Sequence, residues 1–137
     1  MPTIDLQTIR YINLLDSESR VKTRKCFVYN NNIIFAVPKM LVSRAIGPNA
    51  INIKKIQEKL GKRVRIIKEA ERIEDAEEFV LNVVSPLRFK SLELQDEIFV
   101  LTAGSESKAA LIGRNRRRLD ELQQIVKDTF GKDLKIV

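Results

Sequence analysis

The 137-residue sequence contains no histidine and a single cysteine. Without histidine there is no imidazole general base, no Ser-His-Asp triad and no Cys/His zinc site, and one cysteine cannot build a disulfide framework. No apolar run approaches the length of a membrane span, and the opening stretch MPTIDLQTIR does not read as a signal peptide. The expectation is a soluble, cytoplasmic protein with no membrane partner, no metal and no cofactor, and not an enzyme. Hydrophobic residues make up 44% and charged residues 31%, so the chain is expected to fold rather than stay disordered. Its length suits one domain, or two small units that share a core. The formal charge of +7 favours an anionic partner, most often nucleic acid.

That charge is unevenly placed. Residues 1–70 hold 14 Lys and Arg against 5 Asp and Glu, whereas residues 71–137 hold 11 against 13. Such a split suggests two units with different electrostatic duties, 1–70 and 71–137. The densest acidic stretch is Glu71, Glu74, Asp75, Glu77 and Glu78, and the tightest basic cluster is Arg114, Arg116, Arg117 and Arg118. The more acidic half thus carries the most concentrated positive spot.

The halves repeat each other. Ile46-Gly47-Pro48-Asn49 returns as Ile112-Gly113-Arg114-Asn115, 66 residues later. At that offset Ile33-Ile34-Phe35 meets Phe99-Val100-Leu101, and Ile53, Ile56 and Leu60 meet Leu119, Leu122 and Val126. Beyond this stripe Leu60-Gly61-Lys62 matches Phe130-Gly131-Lys132 at an offset of 70, so the second copy gains four residues, about one helical turn.

Each copy reads as β-β-α-turn-α-β. In the first, Lys25–Tyr29 and Ile33–Val37 are β-rich and flank the turn-forming Asn30-Asn31-Asn32. Pro38 opens a short helix over 39–45. Asn49 is the expected N-cap of a second helix with Ile53, Ile56 and Leu60 on its apolar face, closed by Gly61. Val64, Ile66 and Ile67 then form a strand, with Arg63 and Arg65 expected on one exposed face. The second copy gives strands at Ser91–Gln95 and Ile98–Ala103 around Asp96-Glu97. A helix from Ser105 to Leu111 capped by Ser105 follows, then a long helix from Arg116 to Phe130, and a strand at Leu134–Val137. An amphipathic helix precedes each copy. The first carries Ile9, Ile12 and Leu15 with Asp5 as cap, and the second carries Ala76, Phe79, Val80 and Val83 and stops at Ser85-Pro86.

The turn between paired helices carries the chemistry. Gly47 and Gly113 permit close backbone approach. The following helix aims its free N–H groups and positive dipole at the same spot, which suits a phosphate. Positive side chains at a helix N-terminus oppose the dipole, so Arg114, Arg116, Arg117 and Arg118 are best explained by an anionic ligand. Cys26, in an apolar strand, reads as a buried residue rather than a reactive thiol. The aromatics fall mostly at core periods rather than on a stacking platform.

The β-β-α-GXXG-α-β order resembles a type II KH domain, and two in tandem resemble the KH pair of the NusA transcription factors, in particular the short archaeal NusA-like proteins. The residues carrying the likeness are Ala45 to Lys54 around Gly47-Pro48-Asn49-Ala50, then Glu58 to Val64, and Ala76 to Leu87. The first loop departs from the family pattern by a proline, and the second, Gly113-Arg114-Asn115-Arg116, by a bulky last residue. The resemblance implies an α+β fold of two α-β-β-α-α-β units, each a three-stranded sheet with helices on one face. It also implies binding of single-stranded RNA, by a monomer working with RNA polymerase or other transcription factors in elongation, pausing, termination or antitermination. The RNA-contacting residues would be Ile46, Gly47, Pro48, Asn49, Ala50, Lys54 and Lys55 in the first unit. In the second they would be Ile112, Gly113, Arg114, Asn115, Arg116, Arg117 and Arg118. Asn49 and Asn115 would cap their helices, Ile46, Ile53 and Ile112 would line the grooves, with Ile53 equally suited to the core, and aspartate at both glycines would abolish binding with the fold intact. Two rival readings are a protein-interaction module docking through the acidic helix, and a ribosome-associated factor.

Overall fold

The structure, a computed structural model, describes residues 5–137. It divides into two compact units, the first ending at Glu69 and the second running from Ala70 to Val137.

In the first unit α1 spans Leu6–Ser19. Asp5 caps it: its carboxylate accepts the Thr8 N–H at 2.8 Å, and this bond lowers the Asp5 pKa. The buried face is Tyr11, Leu15 and Ser19, at helical i, i+4, i+8 spacing, whereas Ile9 is 42% exposed and Ile12 half-buried. The expected Ile9–Ile12–Leu15 stripe is therefore rotated. Ser19 can end the buried face because its hydroxyl donates to the Leu15 carbonyl at 2.7 Å and accepts the Val21 N–H at 3.1 Å.

Strands β1 (Lys25–Tyr29) and β2 (Asn32–Val37) form an antiparallel hairpin with Tyr29 opposite Asn32. Asn30 and Asn31, at φ 49° and 65°, make its two-residue turn, and Asn32 joins the strand. After Pro38 a 3-10 turn (Lys39–Leu41) leads into α2 (Val42–Ile46); α3 (Ile51–Leu60) follows, closed by Gly61 at φ 66°. Strand β3 (Arg63–Lys68) lies parallel to β2, Ile33 beside Val64, giving the order β1-β2-β3. The core joins Tyr11 and Leu15 to Ile33, Phe35 and Val37 of β2, Ala45 of α2, Ile56 of α3 and Val64 of β3. Ile34 and Ala36, on the alternate face of β2, are also fully buried, which is why the sequence there is a continuous apolar run rather than an alternation.

The second unit repeats the plan. Helix α4 (Ala76–Val84) buries Ala76, Phe79, Val80, Val83 and Val84. Strands β4 (Ser91–Gln95) and β5 (Ile98–Thr102) pair through the left-handed turn Asp96-Glu97. Helices α5 (Ser105–Ile112) and α6 (Arg117–Phe130) lead to β6 (Asp133–Ile136), parallel to β5, in the order β4-β5-β6. Ser105 is not the cap of α5: Gly104 holds that place and no side chain caps the helix. Helix α6 has 14 residues against 10 in α3, so the four-residue surplus is one extra helical turn. That turn carries Phe130 edge-on to Phe79 at 5.8 Å and Phe99 at 5.5 Å. One tie occurs in both units. Gln57 of α3 accepts the Val64 N–H at 3.0 Å, and Gln123 of α6, 66 residues on, donates to the Leu134 carbonyl at 2.9 Å. Each fastens the long helix to the strand that follows it.

The rotated face of α1 is testable by denaturant unfolding. Leu15→Ala is expected to cost about 2–5 kcal/mol, because Leu15 is fully buried. Ile9→Ala is expected to cost less than about 0.5 kcal/mol. Equal losses would contradict the assignment.

Candidate nucleic-acid interface

The two glycine loops have the same backbone. Gly47 lies at φ 78°, ψ 164°, and Gly113 at φ 75°, ψ 176°. Asn49 and Asn115 follow at φ 55° and 56°, then Ala50 and Arg116 at φ 57° and 62°, all left-handed. The hydrogen bonds repeat too. Gly47 N–H reaches Ser43 O at 2.9 Å and Ala50 N–H reaches Gly47 O at 3.0 Å. Gly113 N–H reaches Ala109 O at 3.0 Å and Arg116 N–H reaches Gly113 O at 3.3 Å. Loops of different sequence thus adopt one conformation, set by the turn the two helices require.

That conformation corrects the capping expectation. Asn49 and Asn115 do not cap α3 and α6; the flanking residues are Ala50 and Arg116, and neither supplies a side-chain cap bond. The asparagines serve instead as left-handed turn residues, a conformation Asn tolerates better than most. The first-turn amides of both long helices consequently lack a side-chain acceptor. Helix α3 has no acidic residue in its first turn and α6 has only Asp120. Each loop therefore ends in an electropositive helix N-terminus without a side-chain cap, its first amide, Ile51 or Arg117, donating to the backbone carbonyl of Pro48 or Arg114.

Around these termini Lys54 and Lys55 are exposed in the first unit, as are Arg114, Asn115, Arg116 and Arg117 in the second. None of these cations belongs to an ion pair among the described residues. Lys59 pairs with Glu18 at 2.5 Å and holds its carboxylate below the usual range, with a weaker pull from Lys55. Arg118 differs from its neighbours. It is half-buried, and its Nη1 donates to the Ala110 carbonyl at 3.3 Å. Pro48 and Asn49 are exposed, and Gly47, Ala50 and Gly113 half-buried. Ile46 and Ile112, each the last residue of the helix before the loop, are half-buried beside it. Ile53 is half-buried and packs against the core, the alternative place open to it. Arg63 and Arg65 lie on one face of β3, but only Arg63 is exposed; Arg65 is half-buried, and burial lowers its guanidinium pKa.

The glycines cannot be exchanged for aspartate with the loop intact. A Cβ on Gly47 would lie 2.8 Å from Asn52 Nδ2, and one on Gly113 would lie 3.0 Å from Arg118 Cβ and Cγ, both at positive φ. Asn52 is the residue that sequence reasoning missed. Its Nδ2 donates to the Arg44 carbonyl at 3.1 Å. Two other features lie away from the loops. A cavity of about 520 Å³ opens between α1 and the start of β1, lined by Asp16, Lys22, Arg24 and Lys25 among others, and contains no loop residue. Burial pushes the Cys26 thiol up to about 12, which leaves it protonated and unreactive at neutral pH.

Comparison with known proteins agrees with this geometry. The KH domain family matches residues 32–84, which include the first loop. "Probable transcription termination protein NusA" of Halococcus morrhuae is 23% identical over 134 residues, 96% of this chain and 94% of that protein. The protein of the same description from Methanocaldococcus jannaschii is 24% identical over 125 residues, covering 88% of this chain and 67% of its own length. Among solved structures, the crystal structure of APE1850 superposes with a TM-score of 0.69 at 26% identity, covering 98% of this chain and 100% of that one.

The left-handed last loop residue separates strain from binding. Ala50→Gly is expected to stabilise the protein by about 0.5–1 kcal/mol, since glycine holds positive φ without a Cβ penalty. Arg116→Gly is expected to stabilise similarly while weakening binding of a polyanion. Thermal unfolding together with an oligonucleotide titration checks both, and a loss of stability in either variant would contradict the strained backbone.

Proposed function

We propose that this chain is an archaeal NusA-like KH protein, that it binds single-stranded RNA through its two glycine loops, and that it acts in transcription termination or antitermination together with RNA polymerase. Binding, with no catalytic step, is its whole contribution. The observation that carries the reading is the repetition itself. Two loops of different sequence share one backbone, and each delivers a helix N-terminus without a side-chain cap, flanked by exposed cations.

The chemistry follows from those parts. A backbone phosphate accepts from the first-turn amides of α3 or α6 that follow Ile51 and Arg117 and gains from the helix dipole. Lys54 and Lys55, or Arg114, Arg116 and Arg117, neutralise the flanking phosphates. Arginine adds the capacity to stack on an unpaired base. Ile46 and Ile112 offer apolar contact to bases beside each loop. A single strand, whose bases can turn away from its backbone, suits this arrangement better than a duplex. The loops are unequal. Pro48 offers no N–H and the cations beside it, Arg44 in the last turn of α2 and Lys54 and Lys55 in α3, lie outside the loop, whereas Arg114 keeps its N–H and the second loop itself carries arginines. The second unit therefore supplies most of the electrostatic affinity. A monomeric state and a cytoplasmic location belong to the same proposal. The chain's similarity to probable transcription termination proteins supports a transcriptional role over a ribosomal one.

The test is a salt titration of binding to a short single-stranded RNA. Wild-type protein is expected to bind with log K falling by about 0.7 per log unit of salt for each phosphate neutralised. Replacing Arg114, Arg116 and Arg117 by Ala should flatten that slope by about 2 and lower affinity at least about tenfold at low salt. Replacing Lys54 and Lys55 should do less. Absence of wild-type binding at low salt, or equal binding to duplex DNA, would overturn the RNA reading and favour a protein-interaction module.

A further inference from the structure

The two loops share a contact made by different residues. Asn52, second residue of α3, donates from Nδ2 to the Arg44 carbonyl at 3.1 Å. Arg118, second residue of α6, donates from Nη1 to the Ala110 carbonyl at 3.3 Å. Donors and acceptors both correspond at the 66-residue offset that relates the copies. The acceptor is the third residue from the end of the helix before the loop in each case, a carbonyl that the helix cannot satisfy once it has ended. In the first unit the reason is explicit: the intrahelical donor for Arg44 O would be residue 48, a proline without an N–H.

The glycines take part in the same arrangement. The space that a Cβ on Gly47 would fill is occupied by Asn52 Nδ2 and Cγ, and the space beside Gly113 by Arg118 Cβ and Cγ. A side chain on either glycine would displace the residue that spans the loop.

We propose that Asn52 and Arg118 are positioning residues that brace the two loops, each tying the first turn of the following helix to the last turn of the preceding one across a glycine kept bare to admit it. Arg118 is thereby set apart from Arg114, Arg116 and Arg117, whose side chains meet the ligand. Its guanidinium holds the loop that presents the α6 amides. That the braced loop receives a phosphate rests on the RNA reading; that it is braced does not.

The experiment has an arm for each part. Backbone amide exchange is measured on free wild-type protein and on Arg118→Ala, Arg118→Asn and Asn52→Ala. The alanine variants are expected to lose about fivefold protection at the amides of Arg116 or Ala50 and the first turn that follows, the effect of losing one hydrogen bond. Arg118→Asn, which installs the brace of the first unit, is expected to restore it. Unchanged protection in both alanine variants would overturn the brace, whatever the RNA result. The second arm titrates a short single-stranded RNA against salt. Arg118→Ala is expected to weaken binding about fivefold with the wild-type slope, and Arg118→Asn to recover affinity. Arg116→Ala, removing a phosphate contact, should flatten the slope by about 0.7. A slope loss in Arg118→Ala that Asn does not repair would make Arg118 a phosphate ligand and overturn its assignment. No binding by the wild type would sink the RNA reading alone, because the exchange arm stands without it.

Discussion

A strand that pairs parallel with the strand before it in the sheet has to be reached by a crossover, because no tight hairpin can join the two. In each unit the last strand pairs parallel with the middle one, β3 with β2 and β6 with β5, and the crossover is a short helix, a reversal and a longer helix. The rest of the structure depends on that reversal. Its backbone runs through a glycine and two left-handed residues in both units, although only the glycine and the asparagine are common to the two sequences. The geometry that closes the sheet is also the geometry that leaves a helix N-terminus without a side-chain cap at the surface.

Charge is laid onto that frame unequally. The first unit is basic as a whole but keeps proline in its loop, with Lys54 and Lys55 placed further along α3. The second unit has more acidic than basic residues, yet it sets arginines at the start of α6, where they oppose the helix dipole. A helix that tolerates that arrangement is better matched to a polyanion than to water. The left-handed Arg116 compounds the point, since a glycine would hold the same φ with less strain. Backbone cost and electrostatic cost coincide at one residue, as is common where strain accompanies a binding site.

Much of this was legible in the sequence. The 66-residue repeat, the hairpin turns at Asn30-Asn31 and Asp96-Glu97, and the helix ends at Gly61 and Gly131 rest on local chemistry that tertiary context did not override. The misread positions have physical reasons. Asn49 and Asn115 were ambiguous because asparagine suits both an N-cap and a left-handed turn, and only the backbone angles distinguish the two. The buried face of α1 was misjudged because Tyr11 and Ser19 can be buried only with their polar atoms satisfied, Ser19 by two backbone bonds and Tyr11 by Gln7. The braces were invisible to comparison of the copies, because asparagine and arginine look like a mismatch at the positions where they perform the same task.

The central claim is that both loops face RNA, and the most direct measurement is an NMR titration of the isotopically labelled protein with a short unlabelled single-stranded RNA. The account predicts shifts concentrated at residues 46–55 and 112–118, larger and at lower RNA concentration in the second group, with the acidic residues 71–78 unmoved. Shifts confined to other surfaces, or none at all at low salt, would contradict it.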